Sequence, residues 1–213
     1  MRNYLLPKIS SELEQRISQL VVNQSQLGHI FIKEKSSPKL YYRIGGGRYW
    51  KIFTTFQPIF ILNGERGISS RENYLYFRTQ EIRDVVVAIL SSSLFYWYFI
   101  LTTNCRDLNP SDLNQFPISI ADMNTGIITD IISKSQILMN DYKNKALLKN
   151  KTSSKTGNIQ YQEFYPRLSK PIIDDIDKIL AKHYGFTEEE LDFIINYDIK
   201  YRMGNELNDE EEE

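Results

Sequence analysis

The chain has 213 residues, 41% hydrophobic and 25% charged, which suits one sizeable folded domain and excludes wholesale disorder. A single cysteine, Cys105, excludes an internal disulfide, and with only two histidines it makes a poor ligand set for zinc. The formal charge of −1 is unevenly spread: residues 1–170 carry 22 Lys and Arg against 13 Asp and Glu, whereas residues 171–213 carry 4 against 14. That asymmetry suggests a polyanion-binding body with an acidic end, although segregation on a solvated surface gives the same count.

The opening, MRNYLLPKISSELEQ, is too charged and too briefly apolar for a signal peptide, and with the lone cysteine a cytoplasmic setting is expected. From Ser11 to Leu27, apolar Leu13, Ile17, Leu20 and Val21 recur at helical spacing behind a Ser–acid start, so residues 1–28 read as an N-terminal helix. HIFIKEK, PKLYYRI, RYWKIF, PIFILNG and NYLYFR follow as short β-branched and aromatic runs, punctuated by Ser-Pro, a glycine triplet and Asn63-Gly64. They predict a small, mainly antiparallel sheet over residues 29–79. Helical periodicity returns at Gln80, with a long helix interrupted at Ser91–Ser93 and further helices to residue 148, completing a main domain over 29–148. The run Val85–Leu101 has seventeen residues, including three serines and two tyrosines; a buried helix explains it better than a membrane span. Residues 149–168, opening with the polar stretch NKTSSKTG, read as a linker or loop, residues 169–204 as a C-terminal helical hairpin, and 205–213 as a disordered acidic tail. The expected class is α+β: a small sheet, an N-terminal helix and several C-terminal helices.

Catalytic signals are weak. His29 and His183 sit in no nucleophile or metal motif, and Gly45-Gly46-Gly47 lies between strands where a phosphate loop would precede a helix. Asp198-Ile199-Lys200 has the acid–x–Lys spacing of many nucleases but falls at the end of a helix, where chance explains it. Asn109-Pro110-Ser111-Asp112 lacks the second proline and the aromatic of an amino-methyltransferase loop and reads as a helix start. No catalytic, cofactor-binding or metal-binding residue is therefore expected in this chain.

The strongest constellation lies between Lys33 and Arg83, where ten basic residues face four acidic ones. In KLYYRIGGGRYWKIF, basic Lys39, Arg43, Arg48 and Lys51 alternate with Tyr41, Tyr42, Tyr49 and Trp50; beyond it, Arg66, Ser69, Ser70, Arg71 and Asn73 form a polar loop. Lys and Arg neutralise phosphates, and Arg and Asn can read base edges. Lys39, Arg43, Arg48, Tyr49, Trp50, Lys51, Arg66, Arg71 and Asn73 are accordingly the expected DNA-binding residues, with Arg43, Arg48, Lys51 and Arg71 on phosphates or guanine edges. Composition alone fits equally a hairpin with core rings and solvated arginines.

YYRIGGGRYWKIF, SSRENYLYF, SSSLFYWYFILTTNCRDLNPSDLNQFPI and YPRLSKPIIDDIDKILAKHYGFTEEELDFIINYDIKYRMG, in that order, resemble the C-terminal part of large single-chain type II and IIG restriction–modification enzymes with a TaqI-type specificity domain. The resemblance spans roughly residues 10–204. It implies sequence-specific recognition of double-stranded DNA in phage defence, with adenine methylation and S-adenosylmethionine binding on a methyltransferase domain or subunit that this sequence does not include. On that expectation the chain is a split specificity subunit, a truncated product or an excised piece. The competing expectation is a protein-interaction module that docks on a methyltransferase through the acidic C-terminal helices.

Overall fold

The computed structural model describes residues 9, 11–35, 38–45, 50–154 and 156–198. Helix α1 (Glu12–Val22) begins at Ser11, whose hydroxyl accepts the Glu14 N–H at 3.1 Å, and buries Ile17 and Val21. It is fastened at its first turns, where Trp97 donates its indole N–H to the buried Glu14 carboxylate at 3.2 Å and Arg16 pairs with Glu189 at 2.9 Å.

The expected sheet forms, but as two. Strands β1 (Lys39–Arg43), β2 (Phe53–Thr54) and β5 (Glu72–Tyr76) make an antiparallel sheet in the order β2-β1-β5. Strands β3 (Phe60–Leu62) and β4 (Glu65–Arg66) instead join a pair from much later in the chain, β6 (Leu147–Ser153) and β7 (Gly157–Glu163), in the order β4-β3-β7-β6. Asn63 and Gly64, both at positive φ (52° and 88°), make the tight turn between β3 and β4 that the Asn-Gly pair announces.

The segment expected to be a linker is therefore a hairpin, registered from Leu147↔Glu163 to Ser153↔Gly157. Its Lys-Asn-Lys-Thr alternation carries no apolar face: β6 is exposed nearly throughout, β7 is half-buried, and no described residue of the four strands is buried. Backbone pairing and polar cross-strand contacts hold it instead, such as Gln160 Nε2 to Asn150 Oδ1 at 3.1 Å and Thr152 Oγ1 to Asn158 Oδ1 at 3.0 Å.

The expected long helix is two, α2 (Gln80–Leu90) and α3 (Ser93–Thr102), meeting at 64°. Serines make the break: the Ser92 hydroxyl donates to the Ile89 carbonyl at 2.6 Å and accepts the Phe95 N–H at 3.1 Å, ending one helix and capping the next. Residues 84–97 are all buried, with Leu40, Phe53, Phe77 and Phe116 in the same core. No single described helix is long and apolar enough to cross a membrane; α2 and α3 reach that length and apolarity only as a bent pair. Helix α4 (Pro110–Asn114) opens at Asn109, whose N–H donates to Asp112 Oδ2 at 2.7 Å, so the Asn-Pro-Ser-Asp sequence is a helix start.

Helix α5 (Thr125–Lys145) packs on α2 and on α6 (Lys170–Tyr184), which α7 (Glu188–Asp198) covers in turn. Two carboxylate oxygens of Asp177 on α6 accept the N–H groups of Ser93 and Leu94 at 3.1 Å each, so this buried side chain finishes the start of α3. The result is an α+β fold in which β1, β2 and β5 lie on the helical core and the second sheet stands away from it. Residues 205–213, expected to be a disordered tail, and residues 199–204 lie outside the described residues.

Candidate nucleic-acid interface

Alternation along β1 sorts its side chains. Leu40 and Tyr42 enter the core, while Lys39, Tyr41 and Arg43 take the opposite face. Across the register, Lys39 faces Tyr76, Tyr41 faces Tyr74, and Arg43 faces Glu72. Three tyrosines thus line one face: Tyr41 and Tyr74 meet edge to face at 6.4 Å between centroids, and Tyr74 and Tyr76 at 5.2 Å. Lys39 Nζ lies 5.1 Å from the Tyr74 centroid and 5.4 Å from that of Tyr76, a cation held over aromatic rings. Tyr74 is 40% exposed, so this is a ring surface open to solvent. Burial, then the Glu72 charge, pushes the Tyr41 hydroxyl above the ordinary phenol value, which keeps it a neutral donor.

Arg43 and Arg71 are exposed near the end of this face, where the Ile44 N–H donates to the Arg71 carbonyl at 2.9 Å. Arg66 is also exposed, but on β4 of the other sheet. Arg48 and Tyr49 lie outside the described residues.

Three expected DNA contacts are placed otherwise. Lys51 is 7% exposed; its ammonium donates to the Arg106 carbonyl at 3.3 Å and lies 5.7 Å from the Phe99 centroid, so its stem is packing and its charge bonds the backbone. Trp50 stacks on Tyr96 at 4.5 Å and spends its ring on the core. Asn73 points inward from β5, donating to the Tyr42 hydroxyl at 3.0 Å and accepting the Tyr74 N–H at 2.9 Å. Burial takes that Tyr42 hydroxyl up to about 12. Conversely, Tyr41, Tyr74 and Tyr76 were not among the expected contacts. The signal was present in NYLYF, where tyrosines two apart on a strand must share a face.

His29 is exposed and His183 is half-buried beside Tyr184; burial lowers the proton affinity of His183. Among the described residues no group of three or more His, Cys, Asp or Glu is arranged to hold a metal ion. The cavity between Trp50, Lys51, Leu90 and Phe99 is closed to water-sized molecules. Asn104 braces its own loop, accepting the Arg106 N–H at 3.0 Å.

No family model, no curated protein and no solved structure matches this chain. The molecule is described by its own architecture: an α+β protein presenting a basic, tyrosine-lined sheet face and a second sheet with no buried residue among those described.

Proposed function

We propose that this chain is a recognition module for double-stranded DNA, the sequence-selecting part of a restriction–modification adenine methyltransferase. A separate domain or subunit would bind S-adenosylmethionine and modify the base. The observation that carries the proposal is the outer face of β1 and β5, where Lys39 and Arg43 flank Tyr41, Tyr74 and Tyr76. Cations supply the sequence-independent attraction to phosphate, and phenols supply neutral donors and flat apolar area beside a sugar–phosphate backbone. Glu72 tempers the charge of the face opposite Arg43, so its pull on DNA rests on Lys39, Arg43 and neighbouring Arg71.

The alternative, docking on a methyltransferase through the acidic helices, has less support because the described acids of α6 and α7 are largely engaged within the fold. Asp174 bonds Lys170, Asp175 pairs with Lys134 and Lys178, Asp177 caps α3, and Glu189 pairs with Arg16. Glu190 is 4% exposed and accepts the Thr187 N–H at 2.8 Å.

Titration of a labelled duplex with the full chain separates the two. DNA recognition requires binding that Arg43→Glu weakens at least about tenfold at low salt and that Glu188→Lys leaves intact or strengthens. Absence of duplex binding, or equal binding by Arg43→Glu, counts against the proposal.

A further inference from the structure

The four-stranded sheet contains a feature that the tyrosine face does not explain. Asn150 on β6 is the register partner of Gln160 on β7; Gln160 pairs with Ile61 on β3, and Ile61 with Arg66 on β4. Directly paired residues share a face, so Asn150, Gln160, Ile61 and Arg66 form one straight row across all four strands. None of the four is buried. A sheet face normally carries apolar side chains toward a core, and Asn and Gln bring little to strand stability, so a row of amides and a guanidinium, exposed at Asn150 and Arg66 and half-buried at Gln160 and Ile61, calls for another reason.

We infer that this row reads base edges in the major groove of duplex DNA. The side chains match the donor and acceptor patterns found there: Arg pairs with guanine O6 and N7, Asn and Gln with adenine N6 and N7, and an apolar side chain such as Ile61 with the thymine methyl. The Gln160–Asn150 bond uses one donor of Gln160 and one acceptor of Asn150, leaving Asn150 Nδ2 and Gln160 Oε1 outside it. With neighbouring strands ~4.8 Å apart, the row runs about 14 Å from Asn150 to Arg66, the rise of about four base pairs at ~3.4 Å each.

Residues 147–163 carry three lysines and one acid, Glu163, and alternation along β6 puts Lys149 and Lys151 on the face opposite Asn150, so this charge supplies long-range attraction for an anionic partner and no contact within the row. That acid lies 3.8 Å from Lys149 and accepts the Tyr165 hydroxyl. The row is also within reach of the tyrosine face. Arg66 and Glu72 are six residues apart, so their Cα atoms are separated by no more than about 22 Å, and Glu72 is the register partner of Arg43. One turn of B-DNA, about 34 Å, is long enough to meet both. The inference rests on the DNA-recognition proposal and assigns base reading to a different surface from phosphate contact.

The test is selection from a randomised duplex library with the full chain, its Arg66→Lys variant, and an Asn150→Ala/Gln160→Ala double variant. Arg66→Lys keeps the charge and removes the planar fork; the double variant removes amides from an exposed face, and its folding is checked by thermal melting. The wild type should enrich a defined sequence. Each variant should bind bulk duplex as tightly and with the same salt dependence, yet lose roughly tenfold or more discrimination at one or two positions of that sequence. Enrichment of the same sequence by both variants overturns the inference and leaves DNA recognition standing. Binding of duplex without enrichment of any sequence by the wild type also overturns it. Failure of the wild type to bind duplex at all, or preference for RNA or single strands, sinks the recognition proposal and the inference together.

Discussion

Asn63 and Asn158 lock two distant turns together: the Asn158 N–H donates to Asn63 Oδ1 at 2.8 Å, and the Asn63 N–H donates to the Asn158 carbonyl at 2.8 Å. The β3–β4 turn and the β6–β7 turn, nearly a hundred residues apart, are thereby joined at one end of the four-stranded sheet. Because that sheet has no apolar core of its own, such polar fastenings and the backbone ladder carry its order.

Gly157 belongs to the same lock. It sits at φ 81°, and a Cβ there would collide with the Asn63 side chain. Gly157→Ala should therefore cost roughly 1–2 kcal/mol through left-handed backbone alone, with further loss from displaced Asn63. The effect should be local: hydrogen exchange should quicken in β6 and β7 while the amides of α2 keep their protection. Equal loss of protection in both would mean that the second sheet and the helical core unfold as one unit.

Asp177 links acidity to the junction of α2 and α3. Burial raises its carboxyl to about 6 from an ordinary 3.8, against the opposing pull of the Ser93 and Leu94 amides. The folded state thus holds a proton that the unfolded chain has already released in this window. Its contribution is complete below the unfolded value and is lost as pH rises through about 6, by roughly 3 kcal/mol. Melting temperature should fall between these two pH values in the wild type, and the fall should flatten in Asp177→Asn. A wild-type profile rising across the same window would contradict this account. Asp177→Ala, which leaves two buried amide donors at the start of α3 without this acceptor, should destabilise at any pH by about 2 kcal/mol or more.

Lys51 and Arg43 separate packing from recognition. Both are basic residues in the same aromatic stretch, but Lys51 is buried against Phe99 and Arg43 is exposed beside the tyrosine face. Lys51→Glu should place an acid beside the Arg106 carbonyl and lower the melting temperature by several degrees, whereas Lys51→Met, retaining the stem, should bind DNA like the wild type. Arg43→Glu, which sets a second carboxylate opposite Glu72, should lower the melting temperature by no more than a few degrees and bind DNA poorly. Loss of DNA affinity in a folded Lys51→Met protein would return Lys51 to the interface.

Local chemistry made much of the fold legible. Ser11 caps α1, Asn63-Gly64 turns a hairpin, and the serine run breaks the apolar helix. In each case the residue acts on its immediate neighbours, so its effect is encoded nearby. Pairing across long separations was not legible. Nothing in PIFILNGER states that β3 will pair with β7, and the Lys-Asn-Lys-Thr run lacks the apolar alternation that marks a half-buried strand.

The candidate face was legible as a composition, not as an address. Basic and aromatic residues were visible between Lys33 and Arg83, but Trp50 and Lys51, outside any described strand, turn into the core through contacts with Tyr96 and Phe99. Asn73 is drawn inward by Tyr42, while Tyr74, one residue on, faces out. Which side of the sheet meets solvent depends on what packs beneath it, and that is decided by α2 and α3.

The central claim, that the face of Lys39, Arg43 and the three tyrosines meets duplex DNA, is tested most directly by the salt dependence of binding. Plotted as log affinity against log salt, the wild type should give a negative slope that becomes shallower by about 1.8 in Lys39→Ala/Arg43→Ala, because each lost phosphate contact removes ~0.9. An unchanged slope in a folded double variant would contradict the claim.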